Sequence, residues 1–463
     1  MKLQNIPVLC LLLYAATGYA APNDTLPLSL QQLIATAQSH SRQLKLSQAA
    51  IDVAKAMSDE AKLSKLPYLN FTADAGYLGN VAVIGLGSMP SGSYEMPHFS
   101  NNYGLMASYI VYAGDKLNTG IKLASIEERI AGLNYERANQ DVKLVLSGYY
   151  LDLYSLLKQR RVYEENIAES KLLQDKIKNR YDAGTALKSD FVRSELLVAN
   201  MELALLKLNN NIDIINNKLV EMVDLPEHTV IVPEEISGVD HEGMLAGAKA
   251  KLPEQERAYP GYENTMPARE PSLPEYQKTA ALYNPDLATN RLAISAAEKS
   301  FKMVRADRLP SISLFATSNF NRPFIYDLPA IDIYSNLWMA GVRLNYDIGS
   351  LYTNKRKSKT AEQRITQARM AATLGEEHVR TTVYEAYKHY RESIDQLTAM
   401  KKELALANEN YRRVTNSYHQ QLMLITDVMD ASNARLSAEL QLQTAQAHIA
   451  FTYYQLLRTT GKL

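Results

Sequence analysis

The sequence predicts a mainly α-helical fold with a smaller β component, duplicated within one chain. Three observations predict it. The pairs Val142/Val379, Tyr150/Tyr387, Tyr181/Tyr418, Asp190/Asp427 and Leu203/Leu440 keep one displacement of 237 residues. Each copy passes through the same order of breaks: helix, Leu-Pro, alternating strands, a very long helix, a turn and a returning helix. Two stretches of about 65 residues hold a helical apolar period with no proline inside them.

Taken in order, residues 1–20 read as a secretory signal. Lys2 gives the positive start, residues 8–16 the apolar run, and Gly18-Tyr19-Ala20 a small-x-small cleavage site. That run is shorter than the about 20 apolar residues a spanning helix needs. The only cysteine, Cys10, falls inside it, so the mature chain is expected to carry no disulfide, thiolate nucleophile or cysteine metal ligand. The first repeat is expected over residues 21–223 and the second over 276–463.

Residues 28–66 and 276–309 read as helices, each stopped by a proline, Pro67 or Pro310. Within them Ser41-Arg42-Gln43-Leu44 aligns with Asn284-Pro285-Asp286-Leu287. After each Leu-Pro the period changes to two. Strands are expected at 67–81 and 102–112 in the first copy, and at 310–320 and 337–348 in the second. Leu69, Phe71, Ala73, Ala75 and Tyr77 share one face; Ile312, Leu314 and Ala316 share another, as do Trp338, Ala340, Val342, Leu344 and Tyr346. Such strands suit either a transmembrane barrel wall or a soluble hairpin with one buried face. The loops between them, 79–101 and 321–335, are rich in Gly, Pro, Ser, Asn and Tyr.

The long helices are expected over 116–180 and 354–417, roughly 95 to 100 Å each. Apolar Leu146, Leu153, Leu156 and Leu157 alternate there with charged Arg160, Arg161, Glu164 and Glu165. Helices of this length form coiled coils or helical tubes rather than compact globules. They return through 190–223 and 427–457. The linker 224–275 holds seven of the chain's 17 prolines.

Fifty basic and 50 acidic residues among 463 give no global attraction to nucleic acid. With no apolar helix, entry into a membrane is open only to a β-barrel. Four strands cannot close alone, and known bacterial barrels begin at about eight. Three copies would give twelve strands and a closed ring of helices; two or four copies also satisfy closure. No two of the eight histidines stand one helical turn apart, and no phosphate loop or nucleophile elbow is visible. Neither an enzyme, a cofactor nor a metal site is expected.

The signal, the duplicated order and the tip run Ile425-Thr426-Asp427-Val428-Met429-Asp430-Ala431 together resemble the TolC family of outer membrane efflux and secretion channels. The resemblance implies a homotrimer: a 12-stranded β-barrel in outer membrane lipid, continued by an α-helical coiled-coil barrel through the periplasm. It implies a periplasmic adaptor and an inner-membrane transporter as partners. The function it implies is the exit duct of a tripartite pump for drugs, toxic compounds or metal ions. Type I protein secretion and a structural periplasmic coiled-coil protein are the alternatives.

The resemblance also assigns residues. Asp427 and Asp430 match a carboxylate ring at the periplasmic aperture, although two aspartates near a helix start also stabilise its dipole. Tyr418, facing Ser189 and Asp190 of a neighbouring tip, matches a lock that keeps the entrance shut. The family's gate arginine corresponds to Met423, so that lock is expected to be weaker or to use Arg412 or Arg413. Ala183, Gly184, Thr185, Gln421 and Leu422 match the tips that dock the adaptor. Gly184 suits a left-handed turn, whereas Gln421 leaves the geometry of the second turn open. His419 reads as an exposed loop residue or a pH-sensitive neighbour of the lock.

Overall fold

The computed structural model describes residues 25–83, 92–234, 271–327 and 330–463. The expected signal, residues 84–91 of the first loop and residues 235–270 of the linker lie outside the described residues. The chain opens with β1 (Thr25–Leu28), α1 (Leu30–His40) and α2 (Arg42–Leu63), then β2 (Tyr68–Tyr77), β3 (Val81–Val83), β4 (Gly92–Tyr94) and β5 (Phe99–Tyr112). The helices α3 (Lys116–Asp182) and α4 (Lys188–Val223) follow, then β6 (Val230–Pro233). The second copy runs α5 (Leu273–Tyr283), α6 (Pro285–Ala306), β7 (Ser311–Arg322), β8 (Ser335–Asn345), α7 (Ser350–His419) and α8 (Ile425–Thr460). At 67 and 70 residues, α3 and α7 are each about 100 Å long.

Two expected helices are each broken in the same place. The helix expected over 28–66 divides at Ser41, and the one expected over 276–309 begins at Leu273 and divides at Asn284. Pro285 disfavours helical dihedrals at Asn284, which is extended at φ −68°, ψ 121°. The Asn284 side chain then caps α6, accepting from the backbone N–H of Asp286 and Leu287 at 2.9 and 3.2 Å. Its Nδ2 donates to the Thr459 carbonyl at 3.0 Å, so the break is also where the C-terminal end of α8 docks. Gly461 follows at φ 79°, and a Cβ there would overlap the Tyr283 carbonyl.

A second departure is a parallel pair, β1 with β6, that joins residues 25–28 to 230–233. Asn216 of α4 holds it, donating to Thr229 O and accepting from Ile231 N, both at 2.8 Å. Tyr150 of α3 ties in both strands' ends: its hydroxyl donates to Leu28 O at 2.9 Å and accepts from Glu234 N at 3.1 Å. Burial pushes that hydroxyl's pKa up to about 12. Around Tyr150 pack Leu33, Leu146, Leu153 and Leu219; the second copy repeats this core with Tyr390, Val383, Ile449 and Leu456.

The main sheet is antiparallel in the order β2-β5-β7-β8. Its register sorts the side chains onto two faces. Leu69 pairs Ala107, Ala107 pairs Ala316 and Ala316 pairs Ala340; Phe71, Leu105, Ser318 and Trp338 form the next row. This face therefore carries Leu69, Phe71, Tyr103, Leu105, Leu314, Phe320, Trp338, Val342 and Leu344. The other carries Asn70, Thr72, Asp74, Asn102, Thr317, Asn319 and Arg343, interspersed with Tyr68, Met106, Phe315, Leu337 and Met339. The apolar face is exposed, with Trp338 72% and Phe71 66% accessible. A soluble hairpin would cover that face with its own chain; here nothing in the described chain does.

Candidate functional site: the two helical tips

At the far end from the sheet, both long helices turn back through one backbone device. The N–H of Gly184 bonds Tyr181 O at 2.9 Å and that of Thr185 bonds Arg180 O at 2.8 Å. In the second copy Gln421 bonds Tyr418 O and Leu422 bonds Ser417 O, each at 2.9 Å. These are two Schellman closures with the left-handed residue at the same repeat position. Gly184 sits at φ 73° and Gln421 at φ 62°. The turn that the sequence left open at Gln421 thus has the glycine's geometry despite its side chain. Leu187 and Leu424 then extend the chain and start α4 and α8.

Each proposed site residue has a distinct setting. Ala183, Gly184, Thr185, Gln421 and Leu422 are all exposed at the tips. So are Leu187 and Leu424, which the sequence reading did not single out. Asp427 is half-buried, and its Oδ2 accepts from the Leu424 backbone N–H at 3.0 Å. It therefore serves as a helix-start cap in its own chain. Asp430, one turn on, is exposed.

Below the turns the two hairpins pack on one another. Ile177, Val414, Ile425, Val428 and Ala431 are buried together, with Phe191, Tyr411, Tyr418 and Met429 against them. Tyr181 stacks on Phe191, centroids 6.2 Å apart, closing the first tip from α3 to α4. Tyr418 meets the first copy through its ring, with the Arg180 guanidinium 5.4 Å from the centroid. Ser189 is exposed and Asp190 half-buried in the first turn of α4. The bond expected between them and Tyr418 would join neighbouring protomers.

Arg412 and Arg413 do not reach toward Tyr418 in this chain. Both turn to Glu409 on their own helix, at 2.6 Å each. Hydrogen bonds from Arg413 and Arg412 hold the Glu409 carboxyl below its ordinary value. His419 is exposed beside Tyr418, rings 5.9 Å apart.

About 15 Å along α8 from its start, a polar layer joins the two copies again. Arg435 Nη2 donates to Asn166 Oδ1 at 2.9 Å and to Glu169 Oε2 at 2.5 Å, both on α3. Tyr411 of α7 donates to Glu169 Oε1 at 3.0 Å, and its ring lies 4.3 Å from the guanidinium. Asn166 Nδ2 donates to Glu439 Oε2 at 2.8 Å. Nothing in the sequence pattern marks these residues, because their partners lie up to 273 positions away.

Among the described residues, no three His, Asp or Glu side chains gather as a metal site, and no helix is long and apolar enough to cross a membrane. The arrangement is thus a pair of tips and a two-faced sheet joined by long helices, with no clustered reactive groups.

The fold is one seen in solved channels. It is similar to CusC (TM-score 0.75, 15% identity, covering 97% of this chain and 95% of that one). It is equally like VceC of Vibrio cholerae (TM-score 0.72, 16% identity, 93% and 96% coverage). In sequence it is similar to the outer membrane efflux protein BepC of Brucella suis, 20% identical over 385 residues, which are 82% of this chain and 75% of that one. The profile described as "Outer membrane efflux protein" matches residues 33–223 and 277–462, both repeats nearly in full. With that match covering more than half its length, the chain belongs to the outer membrane efflux protein family.

Proposed function

We propose that the chain is the outer-membrane exit duct of a tripartite efflux pump, passing small toxic molecules or metal ions from the periplasm to the exterior. The observation that carries this reading is the sheet. One face is dominated by exposed apolar side chains, the other carries most of the sheet's polar ones, and each edge strand, β2 and β8, is paired within the sheet on one side alone. An open edge in lipid leaves backbone groups unbonded, so β8 of one copy pairs with β2 of the next. Three copies close twelve strands with the apolar face to lipid and the polar face to a lumen.

In that homotrimer the long helices form the periplasmic tube, and the exposed tips meet a periplasmic adaptor, itself held by an inner-membrane transporter. Asp427 and Asp430 from three protomers ring the entrance and favour cations there. Tyr418 contacts Ser189 and Asp190 of the adjacent protomer to hold it shut. The duct performs no chemistry; the transporter supplies the energy.

Cell fractionation and deletion test this together. The protein should partition with outer membranes and run as a heat-sensitive trimer in SDS. Cells lacking it should become sensitive to a panel of small toxic compounds. Release from membranes by salt would instead favour a periplasmic fibre. A lost secreted polypeptide with unchanged toxicity would favour protein secretion.

A further inference from the structure

The more polar face of the sheet carries two charged side chains along its strands, Asp74 and Arg343. They stand near opposite ends. Asp74 falls in the row of Asn321 and Arg343 in the row of Ser313, about 26 Å apart along β7. The Asp74 carboxylate is already engaged, accepting from Asn102 Nδ2 at 3.3 Å. Arg343 is exposed, and among the described residues its side chain makes no ion pair and no hydrogen bond.

Its guanidinium lies over the Phe315 ring, 4.5 Å from the centroid. Phe315 pairs with Gly341, and a Cβ at 341 would stand 3.3 Å from that ring, so the glycine leaves the ring its place. Stacking uses the face of the guanidinium and leaves its N–H edge free, because the donors lie in its plane. On the same sheet face, Met339 and then Leu337 follow on β8 toward the loops. A free fork of donors therefore adjoins an apolar strip. A carboxylate or sulfonate on an apolar body matches both halves, the anion on the fork and the body on the strip. A cation of the same shape is repelled by the guanidinium, and a neutral body gains the strip alone.

In the proposed twelve-stranded barrel, strands about 4.8 Å apart and tilted about 40° set the wall about 12 Å from the axis. Three guanidinium groups reaching inward from that wall share a lumen little wider than the Debye length of about 8 Å, so their fields overlap. The acidic entrance is removed by the 70 residues of α7, about 100 Å, and does not cancel them.

We propose that Arg343, positioned by Phe315, is a lumen site for amphipathic organic anions at the helix-side end of the barrel, and that such anions are among the molecules passed. The inference rests on the exit-duct reading and narrows its cargo.

Equilibrium dialysis of the full-length trimer in lipid nanodiscs tests this with three probes of one body: naphthalene sulfonate, naphthylmethyl-trimethylammonium and naphthalenemethanol. The wild type should bind the sulfonate more tightly than the alcohol or the ammonium, and less tightly as salt rises. Arg343→Gln should weaken sulfonate binding about tenfold and leave the alcohol unchanged. Arg343→Lys keeps the charge without the planar fork and should fall between them. Phe315→Leu should weaken the sulfonate while the heat-sensitive trimer persists. In cells, Arg343→Gln should lower resistance to dodecyl sulfate and leave resistance to dodecyltrimethylammonium as it was.

Equal sulfonate affinity in wild-type and Arg343→Gln trimers overturns the site, as does a wild type that binds the sulfonate no better than the alcohol; both leave the duct reading standing. Unchanged dodecyl sulfate resistance in Arg343→Gln cells overturns the assignment of cargo. A protein that enters nanodiscs only as separate chains overturns the duct reading, and the lumen site with it.

Discussion

Exchanging the left-handed residues of the two tips should move their local stabilities in opposite directions. Gly184 and Gln421 occupy one turn position at φ 73° and 62°. A Cβ built on Gly184 meets nothing within 4 Å, so Gly184→Ala adds no clash and isolates the backbone cost. That cost for an L-residue in this region is about 1 to 2 kcal/mol. Gln421→Gly should recover a similar amount, less whatever entropy glycine adds to the open turn. The reporters are the closing amides, Thr185 to Arg180 O in the first tip and Leu422 to Ser417 O in the second. Native-state hydrogen exchange should therefore show Thr185 speeding about 5- to 30-fold in Gly184→Ala. In Gln421→Gly, exchange at Leu422 should slow. Equal exchange in Gly184→Ala and wild type would refute the reasoning, because no packing term is available to hide the strain.

Gly461→Ala combines the same backbone cost with overlap on the Tyr283 carbonyl and the Asn284 Cα, and should lose about 3 kcal/mol in thermal unfolding. Tyr150→Phe leaves Leu28 O and Glu234 N without their partner and should cost about 1 to 3 kcal/mol. The folded Tyr150 pKa, about 12, stands above the ordinary value of 10.0, so the protonated hydroxyl is the folded form. Its contribution is complete below about pH 10 and is lost as pH rises through about 12; a pH series of melting temperatures should lack that limb in Tyr150→Phe. Ala316→Lys puts a charge mid-strand on the apolar face and should cost about 2 to 4 kcal/mol of membrane assembly. Its neighbour Thr317→Lys, on the polar face, should assemble in normal amounts.

Much of the fold was legible because its signals are local. Pro67 and Pro310 end helices by removing a donor, and the change from a 3.6 to a 2.0 period announces the strands after them. Absence of proline marks α3 and α7. The breaks at Ser41 and Asn284 were half legible. Asn-Pro in the second copy disfavours a helix, and the alignment of Ser41 with Asn284 could have carried that break into the first. The β1–β6 pair was not legible, since four residues at each end of a 205-residue separation leave no periodic trace. At the tips, the glycine signature pointed to Gly184 but not to Gln421, whose turn is imposed by the helices on either side. The Arg435 layer was invisible for another reason. A charged residue on a helix reads as solvent-facing, and only the packing of α3, α7 and α8 withdraws it.

The tips also make the two proposed aperture carboxylates, Asp427 and Asp430, inequivalent. Asp427 accepts from the Leu424 N–H and sits where the dipole of α8 is positive, so part of its charge is already answered within its own chain. Asp190 holds the matching first-turn place in α4, so the favourable position in the helix dipole is a feature of the repeat, whereas the bond to the N-cap N–H is made in α8 alone of the two. Asp430 has no counterpart of that kind, since the first copy carries Arg193 there, and it stands exposed one turn further in. In the proposed trimeric entrance, three copies of each would therefore draw the field chiefly from Asp430, while Asp427 caps the start of α8. The duplicated plan supplies two turns of one geometry, and the differences at 193/430, 184/421 and 198/435 are where the second departs from the first.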